Sequence, residues 1–190
     1  MNALHRFLAL TLFATVAATG ARAEESTFKL RAGDVLQVTV WKEDALDREV
    51  VVLPDDTITF PLIGSLDVHD QTPEGAKLLI KSKLQKFIPD ASVTVTVKAP
   101  LGHTVNVIGQ VTKPGEIVMG RHLSVMQALS QAGGLTAFAS ESGIKILRRV
   151  DDKDTVIPFP YDDVASGDAL DKDIVLQPGD VVVVPTGGLF

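Results

Sequence analysis

Between residues 33 and 41 the chain alternates strictly. After Gly33-Asp34, the run VLQVTVW sends Leu36, Val38 and Val40 to one side and Val35, Gln37, Thr39 and Trp41 to the other. That is the pattern of a strand with one buried face. Val50 to Leu53 and Thr57 to Phe60 predict two more short strands, separated by the turn residues Pro54-Asp55-Asp56. Pro61 cannot donate to a ladder and ends the third strand. Ile63-Gly64-Ser65-Leu66 predicts a further turn, leading into a short strand at Leu66 to Val68. A helix follows. Thr72 is its N-cap, Pro73 takes the first helical position and Glu74 lies near the positive end of the dipole. Ala76, Leu79, Ile80, Lys83, Leu84 and Phe87 give it a stripe that is apolar except for Lys83, whose stem can lie along it while the charge stays in water, and Pro89 stops it. Ser92 to Lys98 then alternates again, with Val93, Val95 and Val97 inward.

The composition changes at Ala99-Pro100-Leu101-Gly102, where a module boundary is expected. Beyond it come a strand at Val105 to Gly109, a turn at Lys113-Pro114-Gly115-Glu116 and a short strand at Ile117-Val118. A helix begins at Ser124, carries Val125, Ala128, Leu129 and Ala132 inward, and ends at Gly133-Gly134, one of which takes the left-handed conformation. Strands around Ile144 and Ile146 and around Ile157 and Phe159 follow, then a polar loop or one helical turn from Tyr161 to Ser166. The last strand, VVVV before Pro185, is introduced by Leu176-Gln177-Pro178-Gly179-Asp180. This echoes Leu30-Arg31-Ala32-Gly33-Asp34 at the start. Strand, turn, strand, helix, strand thus occurs twice, and a sheet covered by a helix buries both stripes. The fold class is α+β: a small mixed sheet with a covering helix, then a second module.

Residues 1–23 are set apart from this pattern. His5 and Arg6 precede the apolar run from Phe7 to Ala18, and Ala21-Arg22-Ala23 follows, the order of a cleaved secretory leader. The run is about 12 residues, whereas a membrane-spanning helix needs about 20. The expected division is 1–23 leader, 24–99 first module, 100–186 second module and 187–190 tail. There is no cysteine, so no disulfide and no lipid attachment through a thiol is expected. Net charge is −6, and loss of Arg6 and Arg22 makes the rest more acidic. Such a balance argues against a nucleic-acid partner, which needs clustered cations. Lys145, Arg148 and Arg149 are the nearest approach to a cluster and read as a solvated strand end.

Catalytic chemistry is not indicated. His69, His103 and His122 lie too far apart in sequence for a compact ligand motif, and are expected on the surface or in turns. Asp151, Asp152 and Asp154, Asp162 and Asp163, and Asp168, Asp171 and Asp173 match no calcium loop. No nucleophile elbow, phosphate loop or dinucleotide fingerprint occurs, and no cofactor is expected. A paired-carboxylate glycosidase depends on a separation that sequence does not give. Trp41, the lone tryptophan, is expected to pack at a module edge; the alternative is a sugar-stacking surface. The distinctive residues are architectural: Gly33, Asp34, Pro61, Gly64, Gly109, Pro114, Gly115, Gly133, Gly134, Pro178, Gly179 and Asp180 all fall at element ends.

In their order and spacing these pieces resemble the polysaccharide biosynthesis and export proteins of Gram-negative bacteria. Ala32 to Leu36 with Val40-Trp41, Val52 to Ile58 with Pro61 to Gly64, Thr72 to Ala76 and Ala91 to Val97 resemble the export domain. Asp56 stands where that family usually has glycine. Val107 to Val111 with Lys113 to Gly115, Ala128 to Leu135 with Phe138-Ala139, and Leu176 to Asp180 with Val184-Pro185 resemble the soluble-ligand-binding β-grasp module that follows. The resemblance implies a ring-shaped homo-oligomer that carries capsule or exopolysaccharide across the periplasm with an inner-membrane polysaccharide co-polymerase. Large members have a lipidated N-terminal cysteine and a C-terminal pore helix; neither is expected here, since no cysteine occurs and the five residues after Pro185 make barely one helical turn. The expectation is therefore a periplasmic conduit or adaptor, peripheral to the outer membrane, beside a separate outer-membrane channel. The alternative is a monomeric periplasmic polysaccharide-binding or sensing module.

Overall fold

The computed structural model describes residues 28–150 and 153–188. The leader expected at 1–23 and the acidic pair Asp151-Asp152 lie outside them. The first core gathers on a three-stranded sheet in the order β2-β1-β5, from β1 (Val35–Val40), β2 (Arg48–Val51) and β5 (Val93–Ala99). All of its pairs are antiparallel: Val35 lies opposite Val51, and Val40 opposite Val93. β2 starts two residues earlier than the apolar pattern predicts, and its ladder runs on, with Val52 exchanging bonds with Gly33 and Asp34. A separate hairpin joins β3 (Thr57–Phe60) to β4 (Gly64–Asp67). Pro61 opens the turn between them, and Gly64 is already the first residue of β4.

Helix α1 (Pro73–Leu84) covers the sheet. Thr72 Oγ1 accepts from the Gly75 N–H at 3.0 Å, as an N-cap should. The buried stripe is Ala76, Ile80 and Leu84, with Ile88 continuing it through a 2.8 Å bond from its N–H to the Leu84 carbonyl. Lys83 and Phe87, predicted on that stripe, are exposed. The inward spacing is four residues throughout, which rotates the 83/87 row out to the flank.

The second core has a five-stranded sheet in the order β7-β6-β10-β8-β9, from β6 (Thr104–Gly109), β7 (Gly115–Val118), β8 (Lys145–Val150), β9 (Lys153–Pro158) and β10 (Val181–Val184). β10 runs parallel to β6 and antiparallel to β8, so the last strand of the chain sits at the centre. β9 takes the apolar Ile157 into an edge strand that hydrogen-bonds β8 along its length. Helix α2 (Val125–Gln131) starts in a capping box: Ser124 Oγ accepts from Gln127 N–H, and Gln127 Oε1 from Ser124 N–H. It ends with Gly133 N–H on the Ser130 carbonyl and Gly134 N–H on Leu129, both glycines left-handed. α3 (Tyr161–Ser166) is the helical turn. No helix among the described residues is long and apolar enough to cross a membrane.

Candidate functional site

The sequence echo is a structural one. Gly33 has φ 96° and Gly179 φ 95°, a backbone that other residues adopt at a cost. Asp34 and Asp180 are both buried, and each carboxylate bends back to accept the N–H of the residue three before it: Asp34 from Arg31 at 2.9 Å, Asp180 from Gln177 at 2.8 Å. Each aspartate's own N–H returns to the carbonyl of that same residue at 3.0 Å. The side chain thereby locks a reverse turn ahead of a buried strand. A buried carboxylate needs compensation, and the two turns find it differently. Asp180 receives a two-pronged bond from Arg148, Nε to Oδ1 at 2.9 Å and Nη2 to Oδ2 at 2.7 Å. Arg148, read from sequence as part of a solvated strand end, is thus largely enclosed; Arg149 pairs with Asp154 on the surface.

Asp34 instead meets the inter-module linker. Its Oδ1 accepts from Gly102 N–H at 2.9 Å, and its Oδ2 lies 3.3 Å from His103 Nε2. His103 Nε2 donates to the Lys29 carbonyl at 3.0 Å, and its ring stacks on Phe28 with centroids 4.3 Å apart. Expected on the surface, His103 is 8% exposed, because the linker folds back onto the segment that leads into β1. Gly102 makes this closeness feasible: a Cβ there would come within 2.5 Å of the Ala32 carbonyl and 2.8 Å of Arg31 Cβ. Sequence reasoning missed this joint. The available signal was the repeated Gly-Asp pair, with two different basic residues to satisfy it.

Beside the joint is a cleft of about 320 Å3 lined by Lys29, Arg31, Asp56, His69, Asp70 and Gly102 among others. His69 Nδ1 faces Asp56 at 2.9 Å and Nε2 faces Asp70 at 3.4 Å. With a carboxylate at each ring nitrogen, its pKa is raised, first by the Asp56 hydrogen bond and then by the charges of Asp70 and Asp56. Lys29 Nζ holds Asp70 at 2.9 Å and keeps that carboxyl below its ordinary range. His122 lies elsewhere, exposed. Among the described residues no three His, Asp or Glu side chains converge as a metal ion would require.

A second surface is the outer face of the first sheet. Gln37 lies opposite both Glu49 and Thr96, and Thr39 opposite Thr94. Gln37 and Thr39 both donate to Asp47, and Lys98 pairs with Glu49. Trp41 closes this face at the strand end, its backbone N–H bonded to the Ser92 carbonyl at 2.9 Å. It does not pack at a module edge: it is 72% exposed. The remaining motif residues keep turns and chain crossings. Gly109 ends β6 where a Cβ would reach 2.0 Å from the Val184 carbonyl, Pro114-Gly115 opens β7, and Pro178 sits in the Asp180 turn.

Fold and surfaces together define a two-module α+β protein whose distinctive buried chemistry is structural. Residues 22–98 match the family model described as polysaccharide biosynthesis/export protein, and residues 103–184 match that of the SLBB domain. The chain has this two-domain architecture and is homologous to bacterial polysaccharide export proteins. It is 31% identical over 147 residues to the exopolysaccharide production protein ExoF of Rhizobium meliloti, covering 68% of this chain and 34% of the relative. It is 23% identical over 180 residues to the capsule polysaccharide export outer membrane protein CtrA of Neisseria meningitidis, covering 85% and 45%. With the EPS I polysaccharide export outer membrane protein EpsA of Ralstonia nicotianae it shares 24% over 156 residues, covering 66% and 40%. The chain thus spans less than half the length of these relatives.

Proposed function

We propose that this chain is a passive component of a capsule or exopolysaccharide export route in the periplasm, peripheral to the outer membrane. Its two modules, 24–99 and 100–186, serve as a conduit or adaptor that carries out no reaction. The observation that supports this best is the ordered match to the export and SLBB models along residues 22–98 and 103–184. In this reading copies of the chain form a ring. An inner-membrane polysaccharide co-polymerase feeds it, and a separate outer-membrane channel receives the polymer. The polar outer face of the first sheet is a surface along which a glycan slides. Hydroxyls, an amide and carboxylates bond sugar hydroxyls, and the exposed Trp41 ring stacks on their apolar faces.

Deleting the gene is expected to remove surface polymer while lipid-linked precursor is still made. Unchanged surface polymer would defeat the proposal. Trp41→Ala is expected to lower exported polymer several-fold without changing the melting temperature, because an exposed ring contributes little to the core. Cross-linking and mass measurement on the chain test the ring; a strict monomer returns the reading to a binding or sensing module.

A further inference from the structure

Two clefts flank the twin turns, and their cations differ. The larger, about 610 Å3, lies by the Asp180 turn, but Arg148 there is engaged by Asp180 and by the Val175 carbonyl, and Arg149 by Asp154. At the joint cleft, Lys29 and His69 are held by Asp70 and Asp56, while the Arg31 guanidinium donates no hydrogen bond to any described residue. Arg31 itself lines the cleft, and its charge adds to that of Lys29 in keeping the Asp70 carboxyl below its ordinary range. Asp56 and Asp70 both hold left-handed backbone, φ 57° and 55°. Glycine would take that conformation without strain but would bring no carboxylate to His69.

We propose that this cleft takes the carboxylate of an acidic sugar unit, with Arg31 as the forked donor and Lys29 and His69 beside it. The inference rests on the reading that a polysaccharide passes this chain. A planar carboxylate matches the guanidinium fork, and the hydroxyls of the same sugar have acceptors in Asp56 and Asp70. A neutral sugar leaves Arg31 without its partner. Bare phosphate offers the two aspartates negative charge in place of hydroxyl donors. The raised pKa of His69 adds positive charge at the site over a wider pH range. At about 320 Å3 the cleft is at the lower end of the ~300–1,000 Å3 that ligand sites occupy. It is also open, with the His69 side chain 67% exposed. Contact there is weak by construction, as a moving polymer requires.

The test is a titration of the isotope-labelled full chain with glucuronate, glucose or inorganic phosphate at fixed ionic strength, followed by amide shifts in nuclear magnetic resonance spectra. Glucuronate is expected to move the amides of Arg31, Ala32, His69 and Gly102. Arg31→Gln is expected to weaken that binding about tenfold, the scale of one charge-assisted hydrogen bond. Lys29→Gln is a second variant, and each spectrum reports whether the variant is folded. Equal shifts from glucose, equal binding of phosphate, shifts confined to other surfaces, or unchanged affinity in Arg31→Gln would each overturn the site. None of these results touches the deletion phenotype, so the site and the export reading fail separately.

Discussion

Single side chains show how one motif is used twice with different partners. Asp180 is 1% exposed and depends on Arg148 for compensation. Arg148→Met should cost about 3 kcal/mol, because it leaves a buried carboxylate facing an apolar stem. Arg149→Met, which breaks an exposed pair, should cost under about 1 kcal/mol. Urea unfolding of the two variants makes the comparison, and equal losses would refute the assigned role of Arg148. His69 gives a pH dependence with a definite sign. Its folded pKa is raised above the ordinary 6.5, so the folded state binds the proton more tightly. The stability this adds is present in full below about 6.5 and is lost as pH rises through the folded value. His69→Gln is expected to flatten that part of the stability profile, and the titration of the His69 ring proton should report the raised midpoint. These roles were hard to read in sequence. Arg148 stands in a run with Lys145 and Arg149 that looks like one solvated patch, and nothing in that run says which cation has a carboxylate beneath it.

At the scale of elements the chain was more legible, because caps and periodicities are local. Thr72 caps its helix as read, Ser124 stands at the start of the second helix and proves to be its N-cap, and the alternating strands at 35–40 and 93–99 fall within a residue of where the pattern put them. Ser124→Ala removes one half of a reciprocal cap and should lower stability by about 1 kcal/mol, measurable as a shift of the thermal midpoint. A loss no larger than that of an exposed serine such as Ser82, whose hydroxyl only returns to the Leu79 carbonyl, would show the cap to be idle. Where local reading failed, tertiary geometry decided. The α1 stripe follows spacing of four because Ile88 reaches the core beyond the regular helix, so Phe87, read as inward, faces water. β10 lies between β6 and β8, and no local pattern in VVVV distinguishes a central strand from an edge. Trp41 is the converse case: alternation placed it on the solvent face, and only the prior that tryptophan is buried argued otherwise.

Across the whole molecule, the question is whether the two cores swivel freely about residues 99–103 or are held in one arrangement. A flexible tether would leave Gly102 and His103 in water, yet Gly102 N–H is bonded to the fully buried Asp34 and His103 is clasped by Phe28, Lys29 and Asp34. The joint therefore belongs to the first module's opening turn as much as to the linker. Gly102→Ala tests this sharply. The new methyl would lie 2.5 Å from the Ala32 carbonyl and 2.8 Å from Arg31 Cβ, too close for either backbone to keep its place. Overpacking of this kind costs about 1–3 kcal/mol, and here the least costly relief is to lift the linker off the turn, leaving both cores intact. Hydrogen exchange should then speed up at residue 102 and at Arg31, whose N–H bonds Asp34, while β8 and β10 exchange as before. Gly120→Ala is the control, since a Cβ there has nothing within 4 Å and no left-handed backbone to strain. If the two variants exchange alike, the modules are merely tethered. If Gly102→Ala alone loosens the joint, their mutual orientation is a property of the fold. Every copy then presents the Trp41 face and the Arg31 cleft at a fixed angle to the second module.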